Sequence, residues 1–122
     1  MKRARSRPDD SGSVTVEAAI ALSVVVVVLA VCMAGIGCAI AQIRCVDAAR
    51  EAARLAARGD DAQSAAVVAS IGPAGAHLSL HTDGDTVTAT VTATVAGGLL
   101  PAVRLTATAI AATEDTSVPV PG

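Results

Sequence analysis

Gly12-Ser13-Val14-Thr15-Val16-Glu17 runs directly into AAIALSVVVVVLAVCMAGIGCAIA, residues 18–41, and the reading of these positions decides the architecture. Ala18 to Ala41 holds 24 residues without a charge. At about 1.5 Å rise per residue a helix of that length spans roughly 36 Å, enough to cross a hydrocarbon core of about 30 Å with some tilt. The β-branched run Val24 to Val28 suits a strand in water, but a lone strand in lipid leaves its backbone unpaired, so the run is read as helix.

Upstream, MKRARSRPDDSG (1–12) combines Lys2, Arg3, Arg5 and Arg7 with a proline, two acids and a glycine, the composition of a short flexible basic leader. Downstream, QIRCVDAAREAARLAARGD carries no proline. Arg44, Asp47, Glu51, Arg54 and Arg58 fall near one helical face, while Ala48, Ala49, Ala52, Leu55 and Ala56 supply small apolar positions. One helix therefore extends from Ser13 to Arg58, its second half running on into water, with Gly59 as its C-cap. Asp60 and Asp61 cap a short second helix over AQSAAVVASI, which Gly72 and Pro73 end.

Beyond Pro73 the hydrophobic period changes to two. Leu78 and Leu80 alternate with His77, Ser79 and His81 up to a hairpin turn at Asp83-Gly84. TVTATVTATV then places Val87, Ala89, Val91, Ala93 and Val95 on one face and five threonines on the other. VRLTATAIA repeats the alternation through Val103, Leu105, Ala107 and Ala109. The fold class is α+β: a long N-terminal helix (13–58, membrane-spanning about 18–41), a short helix, and a small three-stranded antiparallel meander in a head of residues 59–112, with 113–122 a loose tail. With no Phe, Tyr or Trp in the chain, the head is short of large core anchors and needs the helix or neighbouring subunits for stability.

The bulk properties narrow the function classes. Hydrophobic residues make up 52% and mean hydropathy is +0.60, so a large apolar surface must face lipid or a partner. A net charge of −2 and the absence of stacking aromatics argue against nucleic-acid binding. No nucleophile with a base and orienter, phosphate-binding loop or paired carboxylates appear, so neither enzymatic activity nor a cofactor is expected. His77 and His81 are about 13 Å apart along a strand, too far to share a metal, and no metal site is expected. Cys32, Cys38 and Cys45 lack CxxC or zinc-knuckle spacing. Cys32 and Cys38 read as small packing residues inside the apolar run, and Cys45, just outside it, is the one cysteine open to an intermolecular disulfide.

The Gly12 to Glu17 segment, between a basic leader and an apolar helix, resembles the class III signal of type IV pilins. With DAAREAARLAARGD and the short Thr/Val-rich head it looks like the TadE-like pilins of tight-adherence (Tad/Flp) systems, in the compact form of high-GC Gram-positive bacteria. The resemblance covers Gly12 to Ala112, and its specific part is the Gly-to-Glu signal. It implies a minor pilin or pseudopilin of a pilus or secretion system, cut by a prepilin peptidase between Gly12 and Ser13, with Ser13 then N-methylated. Glu17 would meet the new N-terminal ammonium of an adjacent pilin subunit, setting register on the assembly platform. The head would be extracytoplasmic, the N-terminus cytoplasmic, the location the cytoplasmic membrane or a surface filament.

Physical chemistry gives that motif content. A carboxylate at the centre of a bilayer costs about 2.5 to 3.5 kcal/mol, less near the interface, so Glu17 seeks a cation. Cleavage after Gly12 would supply one four residues away. The peptidase's close approach to the backbone favours glycine at 12. Ala30, Ala34 and Cys38 form a small-xxx-small stripe that permits close helix contact. The residues by themselves also allow an unprocessed single-pass protein with an interaction role, Glu17 then complementing the helix dipole. A third outcome is cleavage after Ala39-Ile40-Ala41, releasing a soluble protein from Gln42. Basic residues tie at four on each side of the span, so orientation rests on the leader.

Overall fold

The computed structural model describes residues 10–96 and 101–114. Its elements are α1 (Asp10–Ala57), α2 (Asp61–Ile71), β1 (His77–Asp83), β2 (Thr86–Val95) and β3 (Val103–Ala112). This is the expected α+β layout of long helix, short helix and three-stranded antiparallel sheet. The chain divides into two compact units between Gly35 and Ile36.

The first unit is the leading part of α1. It begins at Asp10, so Asp10, Ser11 and Gly12 are helical where a flexible leader was expected, while the rest of that leader lies outside the described residues. Asp10 in the first turn complements the positive end of the helix dipole, which favours this early start. Every large apolar side chain from Val14 to Ile43 that projects from α1 is 50–66% exposed, apart from those of the packed face farther on. The helix is long and apolar enough to cross a membrane. Two of its hydroxyls are answered internally: Thr15 Oγ1 donates to the Ser11 carbonyl at 2.9 Å and Ser23 Oγ to the Ala19 carbonyl at 2.7 Å. Such back-bonding lets a hydroxyl sit among hydrocarbon with its donor satisfied.

In the second unit, α1 is a core element. Cys45, Ala48, Ala49, Ala52 and Ala53 cluster with Val68 of α2 and with Ala89, Val91, Ala93, Leu105 and Ala107 of the sheet. Methyl-sized side chains let the helix backbone come close to its neighbours, and the sheet supplies the larger volumes. The helix ends in a Schellman arrangement: the Gly59 N–H donates to Ala56 and the Asp60 N–H to Leu55, at 2.9 and 3.0 Å. This needs φ of +81° at Gly59, a conformation open to glycine. Asp60 then caps α2, its carboxylate accepting from the Gln63 N–H at 3.3 Å. Ser64, fully buried, hands its hydroxyl to the Ala52 carbonyl at 3.0 Å and also lies 3.0 Å from the Asp60 carbonyl, which fixes α2 on α1 without leaving an orphaned polar atom.

Sheet order is β1-β2-β3. Asp83 pairs with Thr86 across the two-residue loop Gly84-Asp85, one position on from the expected turn. Val91 lies between Leu78 and Ala107 on the inner face, and Thr90 between Ser79 and Thr108 on the outer. The alternation behaves as its period demands, with Val87, Ala89, Val91 and Ala93 buried and the threonines outward. Val103, expected inward on β3, is 39% exposed because it pairs only with half-buried Val95 at the end of the sheet. The Gln42 side chain donates to the Thr106 carbonyl at 3.2 Å, and the Glu114 N–H to the Ala57 carbonyl at 3.2 Å, so β3 runs parallel beside the last turns of α1. The tail therefore starts tied down, with the Thr113 N–H bonded to Asp85 at 2.7 Å; residues 115–122 of the expected loose tail lie outside the described residues.

Candidate functional site

Gly12, Ser13 and Glu17 are all helical and exposed on α1. A Cβ added at Gly12 would meet nothing within 4 Å, and its φ is not positive. The fold therefore gives no internal reason for glycine there, although glycine in a helix interior costs about 0.5 to 1 kcal/mol relative to alanine. The Gly12–Ser13 peptide bond lies inside the helix, so a protease would have to unwind the end of α1 before extended backbone could enter its site. Terminal turns are where such opening costs least.

Glu17 follows Ser13 by one helical turn. Among the described residues no cation lies within 4 Å of its carboxylate; the two ion pairs present are Arg54–Glu51 and Arg58–Glu114, both exposed. An unpaired carboxylate thus stands where the uncharged run begins. The geometry can accept a cation from outside this stretch of helix, and an ammonium is the chemistry that would neutralise it with directed hydrogen bonds.

The packing stripe is spread more sparsely. Ala30 is exposed, and Ala34 and Cys38 are half-buried, at i, i+4 and i+8 along α1. A Cβ added at Gly35 or at Gly37 would meet nothing within 4 Å. Cys32 is exposed on the same helix.

Cys45 departs from expectation. The intermolecular-disulfide reading needed it accessible, yet it is 0% exposed and sits in the core between the helix and the sheet. Burial pushes its thiol pKa up, so the nucleophilic thiolate is disfavoured and the residue acts as a small apolar side chain. Its place three residues before Ala48 on the buried stripe could have signalled this, but the preceding apolar run masks where that stripe begins. His77 and His81 are exposed on β1.

Neither a family model nor a solved structure matches the chain. Over 101 residues it is 48% identical to a protein of Mycobacterium tuberculosis (strain ATCC 25618 / H37Rv) named apoptosis inhibitor Rv3655c, an alignment covering 83% of this chain and 79% of that protein. Identity of that level over most of both chains means a common fold and descent, and the chain belongs to the family of the Mycobacterium tuberculosis protein Rv3655c.

Proposed function

We propose that this chain is a membrane-anchored structural subunit of TadE-like pilin type, processed between Gly12 and Ser13 and assembled through α1. The observation that carries the reading is the exposed Glu17 carboxylate, with no cation within 4 Å among the described residues, at the head of the uncharged run and one turn from the residue whose ammonium cleavage would free. Two features support it: among the described residues a side chain at Gly12 would meet nothing within 4 Å, and the large apolar side chains of α1 from Val14 to Ile43 are exposed. In this reading a prepilin peptidase cuts from the cytoplasmic side, α1 is held first by membrane lipid and then by other subunits at the assembly platform, and the sheet-bearing unit is extracytoplasmic. Mass spectrometry of the mature N-terminus tests it. Ser13 at the terminus, with or without a methyl group, agrees, and an intact Met1 refutes processing. In the same cells, Glu17→Ala should leave membrane insertion unchanged and lower recovery in sheared surface fibres; unaltered recovery would remove the role given to Glu17.

A second reading takes the name of the relative: this chain would inhibit apoptosis in cells exposed to it. The 48% identity favours it. It fits best with release of a soluble piece before Gln42, because the core cluster begins at Cys45 and such a piece would keep all of it, losing only half-buried Ala41. A mature N-terminus at Gln42, together with lowered caspase activity in cells given the purified protein, is the pair of results this reading requires.

A further inference from the structure

The sheet-bearing unit is electrically polarised along its strands. Pairing sets Asp83 opposite Thr86 and Thr86 opposite Ala112, and Glu114 bonds back to Ala57 beside the Asp60 and Asp61 cap, so Asp60, Asp61, Asp83, Asp85 and Glu114 collect at one end, where Arg58 lies 3.9 Å from Glu114 and the acids outnumber it. The opposite end carries Arg44 on α1 and Arg104 at the start of β3, both exposed, with His77 at the start of β1. Among the described residues neither arginine has a carboxylate within 4 Å; Asp47, one turn along from Arg44, is not paired with it.

Two grooves open at the cationic end. One has a wall of Gly37, Ile40, Ala41 and Arg44 on α1, facing Pro73 and Val95. The other, sharing Ala74 and Thr94 with the first, is lined by His77, Thr92 and Arg104. No acidic side chain lines either. Ile36 to Ala41, the close of the uncharged run, belong to this same unit, and Arg44 follows Ala41 by three residues, about 4.5 Å of helix rise.

We propose that this end is a binding surface for anionic phospholipid, with the apolar wall on α1 taking the glycerol and first acyl carbons, Arg44 taking the phosphate, and Arg104, on the outer face of the sheet beside Thr94, adding positive charge at the same end. The inference rests on α1 spanning the bilayer. A helix that leaves hydrocarbon near Ala41 puts Arg44 at headgroup depth, where a guanidinium matches phosphate in charge and in its fork of donors. The acids crowd the far end, away from a negative surface, where they would otherwise repel it.

The test is native mass spectrometry of the purified full chain in neutral detergent, titrated with phosphatidylglycerol or phosphatidylcholine. Wild type should retain phosphatidylglycerol with about 25-fold preference, taking about fivefold per arginine near an anionic surface. Arg44→Gln should lose about fivefold of it, and Arg44→Gln with Arg104→Gln should bind the two lipids alike. Arg54→Gln, beyond the grooves on the same helix, should change nothing. Thermal melting of each variant checks that it folds. Equal retention of the two lipids by wild type overturns the proposal, as does displacement of bound phosphatidylglycerol by glycerol 3-phosphate, which would mark a site for soluble phosphate. Alkaline carbonate extraction of membranes separates the two levels. A chain that resists extraction yet shows no lipid preference keeps its membrane span and loses this site; one that is extracted loses both.

Discussion

Replacing Ala52 by leucine tests whether the trailing part of α1 is core or a solvated extension. Ala52 is 0% exposed, and its own carbonyl receives the buried Ser64 hydroxyl at 3.0 Å, so α2 lies directly over it. On a solvated helix, alanine to leucine is almost neutral by propensity. In a close-packed site, the added carbons must displace α2 or the sheet, at about 1 to 3 kcal/mol. For a unit of this size each kcal/mol lowers Tm by about 4 to 8 °C, so the variant should melt roughly 5 to 20 °C lower. Circular dichroism of the purified full chain in detergent measures this, with Arg50→Leu as a control adding comparable apolar bulk to an exposed position two residues away. The control should stay within about 0.5 kcal/mol of wild type. If Ala52→Leu melts together with Arg50→Leu, the helix is not packed as described.

Gly72→Ala should destabilise the unit by about 1 kcal/mol or more, because the new Cβ would stand 2.5 Å from the Val68 carbonyl oxygen, and thermal melting reads the loss. Gly12→Ala should hold or slightly raise helicity, by up to about 1 kcal/mol in a position with open space around it, while blocking appearance of the Ser13 terminus by mass spectrometry. Burial raises the folded-state thiol pKa of Cys45 above its unfolded value, so its contribution to stability is whole at neutral pH and drains away as pH rises past about 8.5, where unfolded thiols ionise. Urea melts from pH 7 to 10 should show this decline, and Cys45→Ala should flatten it. Iodoacetamide should leave Cys45 unmodified at pH 8 until the protein is unfolded, as peptide mapping can verify.

The elements that could be read from residues alone were those whose pattern has a single physical cause. Glycine at 59 and the following aspartates give a helix stop and a cap whatever the tertiary context, and both formed. Valine and threonine in strict alternation over residues 86–95 can bury only one side of a strand, and that side is buried. The head's want of large side chains pointed to packing against the helix, and residues of α1 share one core cluster with the sheet. What escaped was the extent of the packed face. Leu55 was grouped with the small apolar positions and is only half-buried, whereas Ala53, Ala57 and Cys45 are buried. Alanine sits near the middle of any hydropathy ordering, so AREAARLAAR reads as a solvated helix until a neighbouring surface is known to approach it. For Gly12, Ser13 and Glu17 the spacing was visible in the chain, and all three are exposed on α1 with no cation within 4 Å of Glu17 among the described residues.

Thr15 and Ser23 direct their protons to carbonyls of their own helix, and this shapes what α1 can discriminate. From Ala18 to Ala41 Ser23 is the sole hydroxyl, so a molecule lying along that stretch meets mostly methyl and methylene contours, with the thiols of Cys32 and Cys38 as weak donors. Choice between rival neighbours there must come chiefly from steric fit, which a single added methyl at Ala30 or Ala34 can reverse. Chemical discrimination is left to the extremities: Glu17 where the oily stretch starts and the arginines just past where it stops.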